Sequence, residues 1–186
     1  MILNGNIVRL RPLVEDDAEI TLRWRQSDRA RFLKRTPKTV QQQREWIVSR
    51  ATLGDLNFVI EYLGTPVGAI SIVDINREYR RCEMGRELIG EREIAGTAPV
   101  VWETELLLCD YIFGELGMHQ IHGDVMVENT GMIKVRMYLG YHQDGILRDF
   151  YVYDGVYKDT VLLSLMDSEY QSVCRPTLKR LIDFCS

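Results

Sequence analysis

The stretch from Glu87 to Tyr141 constrains the chain most. Glu87-Leu88-Ile89-Gly90 closes an apolar strand, and Gly96 with its small neighbours Ala95, Thr97 and Ala98 makes a turn before Pro99 opens a helix. Proline suits the first helical turn, where its missing N–H had no partner anyway. A strand that hands a small-residue turn to a helix N-terminus offers orphan N–H groups and a positive dipole end to an anion, phosphate above all. An ordinary strand-to-helix loop has the same composition, so the turn alone leaves both readings open.

The flanking segments supply the rest of the architecture. Ile7 to Leu13 alternates apolar and basic residues, the period of a half-buried strand ending at Pro12. Glu15-Asp16-Asp17 then suits the start of a helix that carries Ile20, Leu22 and Trp24 to about Ser27-Asp28. Trp24 to Arg35 is the most basic segment, with Arg25, Arg29 and Arg31. It fits either the wall of an anionic acceptor site or a solvated helix end with an aromatic core anchor. Val40 to Ala51 predicts a helix with Trp46 and Ile47 inward, and Leu56–Tyr62 and Val67–Asp74 predict a hairpin.

Arg80 to Ile89 predicts a fourth strand. Strict alternation puts Glu83, Gly85 and Glu87 on one face and Met84, Arg86 and Leu88 on the other. Ala98 to Gly117 predicts a largely buried helix with a narrow polar stripe of Glu103, Asp110 and Gly114. A strand around Ile121–Val127 follows, then a helix from Asn129 to Leu139 closed by Gly140. Ile146–Tyr153 and Val156–Met166 predict a hairpin on the turn Asp154-Gly155, and Pro176–Phe184 a last helix. The order implies an α/β fold with a mixed, mostly antiparallel sheet of six to seven strands. The helices Ala98–Gly117 and Thr130–Leu139 are crossovers that call for parallel neighbours.

Composition excludes several classes. A formal net charge of −4 argues against nucleic acid held by overall charge. Cys82, Cys109, Cys174 and Cys185 include no C-x-x-C pair, so neither a metal site nor a disulfide framework is expected, and a reducing compartment is. No run is long and apolar enough for a membrane span, and no basic-then-apolar leader is seen. The expectation is a cytoplasmic single domain over residues 1–186, with 170–186 as an extension. A homodimer through exposed strand edges or the tail is compatible with this.

Taken together, the element order and the central stretch resemble the GNAT family of acetyl-CoA-dependent N-acetyltransferases, from Ile7 to about Tyr170. The family's pyrophosphate loop has Gln or Arg, two residues, Gly, one residue, then Gly or Ala. Glu93-Ile94-Ala95-Gly96-Thr97-Ala98 keeps the Gly and the Ala but places Glu93 at the basic or amide position. The run from Asn129 through Leu139-Gly140-Tyr141 is similar to the family's Asn-led helix. Arg80 to Glu83 and Tyr157 to Leu162 are similar to its ribosomal-protein, spermidine and amino-sugar branch.

The resemblance implies acetyl-CoA as donor and a primary amine as acceptor, with no metal. It implies that backbone groups of Leu88 and Gly90 pair with the pantetheine arm on a splayed strand. N–H groups from Ile94 to Ala98 would hold the pyrophosphate, and Asn129 would orient the arm. Attack by the amine needs a base, for which Glu83 is favoured and Glu87 second, with His119 and His122 as others. Either carboxylate reads equally as the partner of Arg81 or Arg86. Many members place Tyr seven residues after the Asn as the thiolate acid. Here that position is Arg136, suited to a thiolate or to a CoA phosphate, and Tyr138 lies about 200° further round the helix.

Trp24, Arg25 and Arg29 look most like the acceptor side of enzymes that acetylate nucleotide-linked amino sugars. A protein N-terminus of ribosomal-protein type or a polyamine is the alternative acceptor. A CoA-binding regulatory module without chemistry is the alternative of another class.

Overall fold

The computed structural model describes residues 1–33, 37–153 and 155–185. Lys34 and Arg35 of the basic segment, and Asp154 of the expected hairpin turn, lie outside the described residues. The strands are β1 (Leu3–Asn4), β2 (Val8–Pro12), β3 (Leu56–Tyr62), β4 (Thr65–Asn76), β5 (Arg81–Ile89), β6 (Gln120–Met126), β7 (His142–Tyr153) and β8 (Val156–Met166). The helices are α1 (Ala18–Arg25), α2 (Val40–Thr52), α3 (Arg92–Ala95), α4 (Val100–Asp110), α5 (Thr130–Tyr138), α6 (Asp167–Glu169) and α7 (Arg175–Cys185).

Among the described residues the strands form one sheet in the order β1-β2-β3-β4-β5-β6-β8-β7. The strand beyond the expected seven is β1, whose two residues are too short to carry a period of two. The pair β5–β6 is parallel and the other neighbours are antiparallel. Helix α4 is therefore a true crossover between parallel neighbours. Helix α5 is not. It connects β6 to β7, but β8 inserts between them and pairs antiparallel with both, so the expected second parallel neighbour lies one place removed.

Two apolar clusters cover the faces of the sheet. The larger packs Ile70, Ile72, Cys82 and Ile121 against Leu108 and Ile112 of the α4 segment and against Tyr170, Cys174 and Leu178 near the chain end. The expected extension is thus part of the core. The smaller sets Trp24 and Ala30 against Val59 and Leu88. Trp24 is 2% exposed and its Nε1 donates to Glu91 Oε1 at 2.7 Å, which ties α1 to the end of β5.

The polar stripe of α4 is not a solvated face. The Glu103 carboxylate accepts from the backbone N–H groups of Asn6, Ile7 and Val8 at 2.6, 3.0 and 2.9 Å. Asp110 accepts from the Tyr170 hydroxyl and from Arg175 Nε, each at 2.7 Å. One carboxylate fastens the first strands and the other the last helix. Beyond Asp110 the helix widens into a π-turn at Tyr111–Glu115, so the regular α-helix ends earlier than its apolar pattern predicts.

Replacing Glu103 with Ala leaves three backbone donors without their acceptor, and an unsatisfied buried donor costs about 1–3 kcal/mol. Urea unfolding of Glu103→Ala should show a loss of about 3 kcal/mol. A loss below about 0.5 kcal/mol, the scale of a neutral surface substitution, would show that the tie is not structural.

Candidate active site

The site arises where β5 and β6 part. Their register runs only through Arg81–Gln120, Cys82–Ile121 and Glu83–His122. Beyond that point the strands border a cavity of about 370 Å³, within the range of ligand pockets. Glu83, Arg86 and Glu87 line one wall, and His122, Asp124 and Met126 the other. Asn129 and Arg136 of α5, Arg25 of α1, Trp46 and Arg50 of α2, and Tyr151 and Tyr153 of β7 complete it.

A β-bulge decides which residues reach which side. Gly85 of β5 stands opposite Ser71 of β4, and Leu88 opposite Ala69, so β5 advances three residues where β4 advances two. Arg86, inside the bulge, has φ 57°. An extra residue shifts every later side chain to the other face. Strict alternation, which would group Glu87 with Glu83 and Gly85, therefore fails here. Arg86 turns to the α2 side, where its guanidinium lies 5.4 Å from the Trp46 ring centroid and donates to Asp55 Oδ2 at 2.7 Å. Glu87 turns to the α4–α5 side and meets Arg136.

That meeting forms a buried charged cluster. Arg136 Nη2 donates to Glu87 Oε2 at 3.2 Å, and Nη1 lies 2.7 Å from Glu105 Oε1 of α4 and 3.3 Å from the Tyr141 hydroxyl. Glu87 is pushed up to about 8, first by burial and then by the neighbouring Glu105 carboxylate, against the pull of Arg136. Glu105 is raised by burial as well. Arg136, at 7% exposure and held by two carboxylates, cannot reach a CoA phosphate, so the phosphate-binding role expected of it is corrected.

The carboxylate at the parting itself is Glu83, opposite His122. Burial, then Arg81, holds the His122 imidazole below its ordinary value, so it is neutral near pH 7. Its Nε2 lies 3.5 Å from Asp74 Oδ2. The Tyr151 hydroxyl donates to Asp124 Oδ1 at 2.9 Å. His119 is exposed and does not line the cavity. Tyr138 is 63% exposed, in keeping with its position on the wrong side of α5.

The residues expected to hold a cofactor are placed less simply. Ile94 and Ala95 N–H donate to Glu91 O, Gly96 N–H to Arg92 O and Ala98 N–H to Ala95 O. Of the five amides expected to cradle a pyrophosphate, Thr97 alone lacks a backbone acceptor among the described residues. It stands beside Gly96, whose φ is 56° and whose side-chain direction opens on free space, and before the first turn of α4 with its own unpaired amides. The Thr97 N–H and the first turn of α4 are the donors left there. Glu93 is exposed on α3.

Gly90 N–H donates to Val67 O, and the Leu88 carbonyl faces Gly68 of β4, so neither backbone serves the open edge. Alternation turns the groups of Glu87 and Ile89 to it instead. Asn129 borders the cavity while its Oδ1 accepts from Met132 N at 3.4 Å as the cap of α5.

On the acceptor side the three expected residues separate. Arg25 lines the cavity, with its guanidinium 5.7 Å from the Trp46 centroid. Trp24 is a core anchor rather than a substrate contact, and Arg29 is exposed and away from the cavity. Trp46, expected to be inward and core-facing, instead lines the cavity. Its neighbour Glu45 gave no sign of this. The spacing of Trp46 from Arg50, one helical turn, is the signal that both share a face.

A splayed parallel strand pair opens on a cleft with carboxylates at the parting, and a small-residue turn precedes a helix start. Residues 8–142 match the family model "Acetyltransferase (GNAT) domain", and the chain belongs to this acetyltransferase family, whose domain uses acetyl-CoA. The uncharacterized N-acetyltransferase p20 of Bacillus licheniformis is 28% identical over 169 residues, covering 87% of this chain and 93% of that protein. Spermidine N(1)-acetyltransferase of Escherichia coli K12 is 26% identical over 128 residues, 64% of this chain and 67% of that one. A GCN5-related N-acetyltransferase from Brucella melitensis has the same fold, with TM-score 0.82 at 22% identity over 97% of this chain and 84% of that one. No helix among the described residues is long and apolar enough to cross a membrane.

Because Glu87 and Glu105 carry raised values in the fold, the folded protein binds more protons than the unfolded chain. Their contribution to stability is full below the ordinary carboxyl value of 4.5 and is lost as pH rises towards about 8. Thermal unfolding should show stability falling across that window in the native protein and falling less in Glu87→Gln. Parallel pH curves for the two would contradict the raised value.

Proposed function

We propose that this chain acetylates a primary amine by direct attack on acetyl-CoA, and that its acceptor also carries an anionic group, the class to which nucleotide-linked amino sugars belong. The observation that carries this reading is the polarity of the cavity. The guanidinium groups of Arg25 and Arg86 lie 5.7 and 5.4 Å from the Trp46 ring centroid, with Arg50 one turn along α2, and the lining also carries the carboxylates of Glu83 and Asp124. Arg25 is lowered to about 10, by burial first and by Arg86 second, and Arg86 already has a carboxylate partner in Asp55, so Arg25 is the cation with more to gain from an anionic ligand. An anionic group among them relieves that repulsion and gains charge-assisted hydrogen bonds. The lining carboxylates Glu83 and Asp124 suit the amine.

When bound, acetyl-CoA supplies an activated acetyl thioester. The chain's own residues do the rest. Thr97, Gly96 and the start of α4 hold phosphate, and the open backbone edge at Glu87 and Ile89 lines up the arm. Glu83 accepts the amine proton, and the neutral imidazole of His122 stands across from it. A sugar amine is less basic than lysine because neighbouring oxygens withdraw electrons, so a carboxylate suffices as its base. The spermidine-acetylating relative in E. coli favours a second reading, a polyamine acceptor held by Glu83 and Asp124 alone.

Thiol release from acetyl-CoA with matched amines tests both. Glucosamine 1-phosphate should exceed glucosamine and spermidine in kcat/KM by about tenfold or more, the worth of one charge-assisted bond. Arg25→Gln should remove that margin. Preference for spermidine would sink the anionic reading and leave amine acetylation standing. Glu83→Gln should lower kcat by about a hundredfold, the low end of general-base help, with acetyl-CoA affinity by calorimetry unchanged. Native turnover in that variant would remove Glu83 from the role. Gly96→Glu, which sets bulk and negative charge beside Thr97, should abolish acetyl-CoA binding, and unchanged affinity would move the phosphate elsewhere.

A further inference from the structure

The chemistry above leaves one proton without a source. Breaking the thioester releases a thiolate, and the position where many relatives of the family pattern carry a tyrosine holds Arg136, which cannot give up a proton at working pH. The cluster around Arg136 offers one instead. It contains two carboxylates, Glu87 and Glu105, and a single guanidinium, all buried, with side-chain exposures of 7%, 1% and 8%. With both carboxylates ionised, Glu87 Oε1 and both Glu105 oxygens lack a well-aligned hydrogen-bond donor. An uncompensated negative charge would also remain in the interior. One proton placed between the two carboxyls removes both penalties, because it cancels the charge and supplies an O–H donor.

The remaining neighbours do not compete for that role. Cys109 of α4 and Cys174 are buried thiols whose protons are held more firmly than usual, and the Tyr141 phenol, which also lines the cavity 3.3 Å from Arg136 Nη1, is raised well above its ordinary value by burial, so it holds its proton more firmly than Glu87 does. Of the two carboxyls, Glu87 is the one that borders the cavity, next to Asn129 and Met132. His122 and Asp124 lie on the opposite wall. Glu105 stays behind it on α4.

We propose that the Glu87–Glu105 pair stores one proton and that Glu87 delivers it to the CoA sulfur as the thioester breaks, with Arg136 and Glu105 as positioning residues. The assignment rests on the acetyl-transfer reading above. In the step, the amine nitrogen forms a bond to the acetyl carbon and the C–S bond breaks with its electron pair on sulfur. Sulfur takes the Glu87 proton, while the amine's proton passes to Glu83 and on to solvent. Glu87 regains a proton from solvent after the thiol departs. Amine plus acetyl thioester gives amide plus thiol, with no other reactant. A donor that loses its proton near pH 8 is matched to such work.

Three measurements test this. Infrared difference spectroscopy of the unliganded protein should show a protonated carboxyl band at pH 7 that titrates away towards pH 8 to 9 and is absent from Glu87→Gln. Its absence from the native protein would overturn the proposal. In transfer assays Glu87→Gln should lose about a hundredfold with acetyl-CoA, yet less than about threefold with the acetyl thioester of 4-nitrothiophenol, whose leaving group needs no acid. Equal losses with both donors, or none, would also overturn it.

Should Glu87→Gln fail to fold, Glu105→Gln decides. Without the second carboxylate Glu87 keeps only its cation, so the basic limb of kcat should move to lower pH, and an unmoved limb counts against the proposal. Tyr141→Phe should leave the leaving-group dependence unchanged; a loss confined to acetyl-CoA there would transfer the role to Tyr141. No transfer by the native protein with any amine would overturn the underlying reading, and this one with it.

Discussion

A parallel strand pair that stops after three residues sets the terms for everything around it. Backbone N–H and C=O groups are obligatory hydrogen-bonding groups, and β5 and β6 stop supplying each other's beyond Glu83 and His122. The open edges can be left only because they border a cavity rather than packed core. The crossover helix α4 and the capped helix α5 keep the walls apart. The carboxylates of β5 line the gap. An extended, amide-bearing ligand is the natural filler of such a gap, since it restores the missing ladder.

The bulge at Arg86 turns one strand into two tools. Without the extra residue, Glu83 and Glu87 would present two carboxylates to one acceptor end, and Arg86 would face the α4 side. With it, Arg86 stacks on Trp46 beside Arg25, and Glu87 joins Glu105 and Arg136. The Arg86–Trp46–Arg25 group and the buried Glu87–Glu105–Arg136 cluster therefore sit on opposite faces of a single β-strand, separated by a residue with φ 57°. A non-glycine residue in that region is uncommon, and strain of this kind concentrates at functional sites.

Much of this was legible in the sequence because local periodicity is a local property. The expected bounds Leu56–Tyr62 match the strand residue for residue, and Pro99, Asn129 and Gly140 marked helix ends that the structure keeps. What was not legible depends on partners far along the chain. A bulge is defined against the facing strand, so nothing between Gly85 and Leu88 announces it. Trp24 and Trp46 are both aromatic residues on helices, and only the packing of α1 against Leu88 and Val59 decides that the first is core and the second faces the cavity. Glu105 lay within an apolar run and drew no notice, because its two partners are on other elements. The amides of Ile94 to Ala98 looked available until the turn of Arg92–Ala95 used them within itself.

The carboxylate of Glu103 has a consequence for how the chain is made. It receives the amides of residues 6 to 8 across 95 to 97 positions of sequence. On a ribosome adding about 5–20 residues per second, those amides wait roughly 5–20 s before their acceptor has even been synthesised. The first strands of the sheet can pair early with β3, but their outer end cannot be secured until the middle of the protein emerges. Residues 6 to 8 are thus fastened only once the middle of the chain has been made.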